Sequence, residues 1–242
     1  MHNLYILCSG RSQRFKDANY EVPKPLLPLM ESTVFEASLI ALKKIHAWSK
    51  IYVVIQKNHA TEFKLNIRIL EINPSVEIIY LQNFTRGPLE SAFLALKQTN
   101  ETNRFTIADC DQAFEGPPLL QRWGPSLEGI VPVFKSHKSH FSYAVSDKGI
   151  LTDIEEKSVI SNNAIAGMYS FNNSVLFRKE AQTIIENHQG ELYMSLYLKK
   201  LLKNKYLIAT RSLDWHVSFG TPEELSLAHD SLQIKKLLGK LE

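Results

Sequence analysis

Cys8 and Cys110 are the only thiols in 242 residues. They stand far apart in sequence, match no zinc-ligand spacing and do not suggest a disulfide framework. Both read as reduced thiols of a cytosolic protein. Net charge is small as well: 28 basic residues against 25 acidic leave +3. That balance gives no reason to expect nucleic acid or a membrane as partner, and it still allows a local basic pocket. No apolar run approaches the roughly 18 residues of a membrane helix. No charged-then-apolar leader opens the chain, so the expected location is the cytoplasm. Repeats and low-complexity stretches are also missing. Oligomeric state is left open, a homo-oligomer included.

What remains is an ordinary globular composition, 44% hydrophobic and 22% charged, in a chain long enough to bury a sizeable core. Short β-branched runs at 4–7, 51–55, 76–81, 105–108 and 129–134 predict buried strands. Between them, 33–48, 61–71 and 89–98 have helical period. This alternation predicts one α/β domain, Rossmann-like, with a mixed, mostly parallel sheet and helices on both faces. The rhythm of the elements divides the domain into a first half, 1–135, and a second half, 136–242, expected to bind one substrate each. In the second half a hairpin is expected from 142–146 and 150–155 around Asp147-Lys148-Gly149, and a strand at 164–171. Helices follow near 174–187 and 193–202, then a strand pair around 206–219. A last helix has Thr221 as N-cap, Pro222 at the first position and Glu224 completing a capping box. In open α/β sheets the binding crevice lies beyond the carboxyl ends of the strands, so loops following strands carry the functional signal.

The first strand runs into Leu7-Cys8-Ser9-Gly10-Arg11-Ser12-Gln13-Arg14. Small residues let a backbone approach phosphate closely, and N–H groups with two arginines supply a positive field. Taken bare, the segment is equally a solvated basic turn. In Pro23-Lys24-Pro25-Leu26 the prolines stiffen the backbone around one lysine and are expected to exclude a helix. That suits a cation presented to a triphosphate, or an extended surface linker. Asp109-Cys110-Asp111-Gln112 follows an apolar strand; such carboxylates suit Mg²⁺, or a turn. His137 and His140 have ligand spacing without a third ligand and read as a surface loop.

Together these segments resemble the nucleotidyltransferases that activate sugar phosphates, the glucose-1-phosphate thymidylyltransferase-like family. Gly10, Arg14 and Pro23-Lys24-Pro25-Leu26 match its signature, whereas Ser12 and Gln13 replace a glycine and a threonine. The resemblance implies catalytic roles for Arg14, Lys24 and Asp111, with Asp111 holding Mg²⁺. It implies nucleotide contacts from Leu7, Cys8, Ser9, Gly10, Lys24, Gln82, Gly87 and Asp109, with Gln82 and Gly87 at the base. Tyr143, Glu156, Lys157 and Gly167 would bind the acceptor, Glu156 through sugar hydroxyls and Lys157 through the phosphate. Ala144 replaces a glycine in this region. Ser218 stands where many members carry a second metal-binding aspartate, with Asp214 as a nearby substitute.

The implied reaction transfers a nucleotidyl group from a nucleoside triphosphate to a phosphorylated metabolite, with a surface-polysaccharide pathway as its setting. Two rivals share these features. A glycosyltransferase also uses Asp-x-Asp but leaves Arg14 and the Pro-Lys-Pro segment without a task. A non-catalytic nucleotide-binding protein would account for the departures at Ser12, Gln13, Ala144 and Ser218.

Overall fold

The computed structural model describes residues 2–99, 104–121 and 123–240. Strand β1 (His2–Cys8) is buried along its whole length and leads into a short helix, α1 (Gln13–Asp17). A two-strand hairpin, β2 (Pro28–Leu29) and β3 (Ser32–Thr33), precedes α2 (Val34–Ile45). Thr33 caps α2, its hydroxyl accepting the Glu36 N–H at 3.2 Å. Next come β4 (Lys50–Gln56), α3 (Lys57–Phe63), α4 (Leu65–Ile72), β5 (Glu77–Leu81) and α5 (Pro88–Thr99). The helix expected at 61–71 is thus two helices, broken at Lys64, whose backbone is left-handed at φ 53°.

β6 (Arg104–Asp109), β7 (Gln112–Glu115) and β8 (Leu127–Lys135) lead to the expected hairpin, β9 (Ser142–Asp147) and β10 (Ile150–Glu156). The single strand expected at 164–171 is two, β11 (Asn163–Ile165) and β12 (Met168–Phe171), separated at Ala166-Gly167. Then follow α6 (Ser174–Asn187), α7 (Met194–Lys203), β13 (Leu207–Ser212), β14 (Trp215–Ser218), α8 (Pro222–Asp230) and α9 (Leu232–Leu237). β13 and β14 do not pair with each other as expected. β13 lies between β10 and β8, whereas β14 pairs with β7 in a separate small sheet.

The main sheet has ten strands in the order β11-β9-β10-β13-β8-β12-β6-β1-β4-β5. Its parallel character is confined to β6-β1-β4-β5 and to β13 beside β8; every other pairing in this sheet is antiparallel. The sheet is mixed, as expected, but it is not mostly parallel, and that part of the expectation is corrected. Helical crossovers accompany the parallel pairing of β1, β4, β5 and β6, whereas the tight β9–β10 hairpin reverses direction. β11 also pairs with β8, so β8-β13-β10-β9-β11 closes on itself.

Helices cover both faces, as the alternation of β1 requires. Leu4 and Ile6 pack with Phe35, Leu39 and Leu42 of α2 and with Ile69 of α4. Tyr5 and Leu7 face the opposite core, which holds Leu89 and Leu96 of α5, Phe177 of α6 and Tyr197 of α7. No helix among the described residues is long and apolar enough to cross a membrane.

Candidate active site

β1 has β4 on one side and β6 on the other, all parallel. The chain leaves β1 toward β4, and β6 leads the other way toward β12. Such a switch point leaves a crevice beyond the carboxyl ends of the two central strands. A cavity of about 850 Å³ opens there. Leu7, Cys8, Ser9, Gly10, Arg14, Lys24, Gly87, Asp109, Asp111, Glu156, Lys157 and Gly167 all line it. Two expected residues do not. Gln82 is exposed at the end of β5, outside the cavity lining. Tyr143 is fully buried, and its hydroxyl donates to the Lys138 carbonyl at 2.8 Å, so its side chain braces a loop instead of facing an acceptor.

The loop after β1 is shaped by Ser12, which takes a left-handed conformation at φ 55° and caps α1. Glycine would adopt that backbone more cheaply. Serine adds a compensating bond, because its Oγ accepts the Lys24 N–H at 3.0 Å. Gln56, buried at the end of β4, donates to the Ser9 carbonyl at 3.1 Å and holds the loop from the other side. Pro23-Lys24-Pro25-Leu26 folds as one 3₁₀ turn over Lys24–Leu26, a tighter turn than the extended segment expected. Arg14 projects from α1 at the exposed rim of the cavity.

Lys24 Nζ meets Asp111 Oδ2 at 2.7 Å, with both side chains largely buried. Burial opposes charge on each of them, and their attraction outweighs it. The lysine is held above its ordinary range and the aspartate below its own. The bend that carries Asp111 rests on Ser38 of α2. Ser38 Oγ lies 2.9 Å from the Cys110 carbonyl and 2.6 Å from the Gln112 carbonyl, and accepts the Gln112 N–H at 3.2 Å. Asp109 is different. Burial, then Asp111, then Glu156 push its carboxyl up to about 8 despite Lys24. It lies against Gly167, where a Cβ would stand 2.8 Å from Asp109 Cγ and 3.0 Å from Gln112 Nε2. A side chain at this position would have to displace the Asp109 carboxyl.

Ser218 faces Gln112 across the β14–β7 pairing and lies beside the Asp111 bend. Its hydroxyl donates to Glu224 Oε2 at 2.6 Å. Lys138 donates to Glu224 Oε1 at 3.0 Å, and His140 Nε2 lies 3.0 Å from the same oxygen without a hydrogen bond. Burial resists charge on Glu224, and Ser218 with Lys138 holds its carboxyl below the usual range. A Cβ at Gly220 would lie 3.3 Å from Glu224 Oε2 and 3.4 Å from Asp111 Oδ2, so the two carboxylates flank that glycine. The capping box is accordingly only half made: Thr221 Oγ1 accepts the Glu224 N–H at 3.2 Å, while the Glu224 side chain turns into the cavity. Asp214, the proposed substitute, is exposed just before β14. Its N–H binds the Glu115 carbonyl at 2.9 Å, at the end of the β14–β7 pairing remote from Ser218, and it lines no part of the cavity.

At the other wall, Glu156 Oε2 accepts from Ser142 Oγ at 2.6 Å and from Ser195 Oγ at 2.7 Å. Lys157 is left-handed at φ 53°. Its amine lies 4.4 Å from the centre of the Tyr193 ring, donates to the Tyr193 hydroxyl, and lies 3.7 Å from Glu191. The loop before α5 brings Phe84, with the Arg11 guanidinium 5.0 Å from its ring centre, into the cavity. Thr85 Oγ1 and Ser91 Oγ are 2.7 Å apart, and Ser9 Oγ donates to Ser91 Oγ at 3.2 Å, so hydroxyls link this loop to the one after β1. Ser38, Ser91, Tyr193 and Ser195 had no signal in sequence, and Glu224 had one only as a helix cap, because each owes its place in the cavity to a partner far along the chain.

No group of three or more His, Cys, Asp or Glu side chains converges as a metal cage among the described residues. Mg²⁺ does not need one, since one or two carboxylates with substrate phosphates and water satisfy it. Asp111 fits that requirement. A family model described as the MobA-like NTP transferase domain matches residues 4–202. The chain belongs to that family. As an NTP transferase domain it is 26% identical over 249 residues to the bifunctional protein GlmU of Methanococcus maripaludis strain C7, covering 98% of this chain and 56% of that protein. It thus spans about half the length of this relative. Among solved structures, the nucleoside-diphosphate-sugar pyrophosphorylase from Vibrio cholerae RC9 superposes with a TM-score of 0.80 at 20% identity, covering 96% of this chain and 100% of that one. The inositol-1-phosphate CTP transferase from T. maritima gives 0.78 at 15% identity, covering 99% and 96%. The expected resemblance to sugar-phosphate nucleotidyltransferases stands, and these neighbours share the fold.

Proposed function

We propose that this NTP transferase domain moves a nucleotidyl group from a nucleoside triphosphate to a phosphorylated small-molecule acceptor, a sugar 1-phosphate in the first instance, and releases pyrophosphate. The observation that carries this reading is the Lys24–Asp111 pair at the switch point, sharing one cavity with Glu156 and Lys157. Names of the fold neighbours agree in kind, spanning a nucleoside-diphosphate-sugar pyrophosphorylase and a CTP transferase for inositol 1-phosphate.

An oxygen of the acceptor phosphate attacks the α-phosphorus. The bond from that phosphorus to the bridging oxygen breaks, and pyrophosphate leaves with the electron pair. The attacking phosphate monoester is mostly ionised at neutral pH, its second pKa being about 6, so no general base is required. Catalysis then rests on placement and on offsetting charge. Lys24 and Arg14 receive the triphosphate and stabilise the departing pyrophosphate, and Lys157 holds the attacking phosphate. Asp111 is the residue that would hold Mg²⁺, which when bound offsets phosphate charge.

The test is pyrophosphate release with Mg²⁺ across a grid of nucleoside triphosphates and sugar phosphates. Release should require one particular pair. Lys24→Ala and Asp111→Ala should each cut kcat by about 100-fold or more, on the order of one lost electrostatic contact in a buried site, while melting as cooperatively as the parent. Triphosphate binding with no release against any acceptor would favour the non-catalytic reading.

A further inference from the structure

Glu156 ends β10 with one carboxylate oxygen occupied and the other open. Oε2 takes both serine hydroxyls, Ser142 at 2.6 Å and Ser195 at 2.7 Å. Oε1 has no protein partner among the described residues, and the residue lines the cavity. Lys157 follows directly in sequence yet turns away, its left-handed backbone sending the amine to Tyr193 and Glu191. The carboxylate is therefore steadied by two neutral donors on one oxygen instead of by a counter-ion.

The two serines come from unrelated elements. Ser142 is the cross-strand partner of Glu156 in β9. Ser195 is buried in the first turn of α7, at 2% exposure. Two short O–H···O⁻ bonds from opposite supports fix the carboxyl plane. A fixed acceptor atom facing a cavity matches a substrate O–H donor. The same turn of α7 carries Tyr193 on Lys157. Just ahead of it, Leu192 donates to the Arg86 carbonyl at 2.9 Å and accepts from Leu89 at 2.9 Å. The acceptor-facing residues are thus tied to the loop that bears Gly87.

The family resemblance already implies that Glu156 meets acceptor hydroxyls; we infer that Ser142 and Ser195 are the positioning residues that fix its carboxylate for that contact and so decide which hydroxyl of a polyol phosphate is selected. This rests on the nucleotidyltransferase reading above. The phosphate of such an acceptor would lie at Lys157, and the hydroxyl selected would be the one that reaches Oε1.

The probes are glucose 1-phosphate and its singly deoxygenated analogues, assayed by pyrophosphate release with the triphosphate that wild type uses. Losing a hydrogen bond to a charged group weakens binding by roughly 10- to 150-fold. Because each serine acts through Glu156, the expected rise in acceptor KM is smaller, roughly 3- to 10-fold for Ser142→Ala and for Ser195→Ala. Triphosphate KM should stay unchanged. The wild-type penalty against one particular deoxy analogue should shrink in both variants. In a Glu156→Gln background, Ser195→Ala should add less than about 2-fold, since coupled sites are not additive. Equal changes in both KM values, or a full multiplicative effect in that background, overturns the inference and assigns the serines to stability alone. Wild type that turns over normally beside unaltered serine variants overturns the inference and leaves the function reading standing. Wild type inactive with every sugar phosphate removes the acceptor reading and this inference with it.

Discussion

Burial, the Asp111 carboxylate and Glu156 push the Asp109 carboxyl up to about 8, while Asp111, two residues on, is held low by Lys24. The sign of the consequence follows from linkage. An unfolded aspartate titrates near 3.9, so below about pH 4 both states hold the proton. Between there and about pH 8 the unfolded chain releases it and the folded chain keeps it, so stability from this group falls as pH rises through that window. Asp109→Asn removes the proton exchange and should keep the shape. Denaturant unfolding across pH 4 to 9 should show the variant gaining on wild type with rising pH, the gap levelling above about pH 8. A gap that is constant or that shrinks would show Asp109 to be ionised in the folded chain. Ser12 teaches a different lesson at this scale. Replacing a family glycine, it accepts a left-handed backbone and returns a bond to the Lys24 N–H, so that departure from the signature preserves the loop.

At the scale of elements, Gly87 joins the loop before α5 to the segment before α7. A Cβ there would come within 2.6 Å of the Leu192 carbonyl oxygen. Gly87→Ala must push the two segments apart and strain the Leu192 bonds to Arg86 and Leu89. It should cost about 1–3 kcal/mol of stability, the usual range for overpacking, and raise KM for triphosphate and acceptor together, because both loops move. Chemical denaturation and steady-state kinetics read the two effects; unaltered stability would mean the backbones relax freely. Such tertiary ties also mark where sequence reasoning stopped. Apolar period located β1, β4, β5, β6 and β8 with their helices, and local motifs located Lys24, Asp111 and Glu156. The break at Ala166-Gly167 was hidden because the 164–171 run is mostly apolar. Asp109, a residue of another strand, lies against the break and its N–H binds the Gly167 carbonyl at 2.8 Å. Glu224 looked like half of a local capping box, yet Ser218, Lys138 and His140 draw its side chain away. Periodicity and spacing carry no trace of partners so distant along the chain.

For the whole molecule, the mixed sheet sets where binding energy acts. Parallel strands β6-β1-β4 end together and present Ser9, Gly10, Lys24 and Arg14 on one side of the cavity, while the residue expected to read the base, Gln82, stays outside it. On the proposed function, Lys24 and Arg14 would meet the phosphates, whereas Gln82, expected at the base, does not face inward. Binding should follow the phosphates far more than the base. A ligand that binds only the folded chain stabilises it by about 2.7 kcal/mol at a hundredfold excess over Kd. For a domain of this size each kcal/mol moves Tm by about 2–4 °C. A saturating triphosphate with Mg²⁺ should therefore raise Tm by roughly 5–10 °C. The matching nucleoside, at equal concentration, should raise it by less than about 1 °C. Lys24→Ala should lose most of the triphosphate shift, since its amine is a buried cation in that wall. If the nucleoside alone reproduces the shift, the base loop dominates binding, and Phe84, Thr85 and Gly87 take over the role assigned here to the phosphate loop.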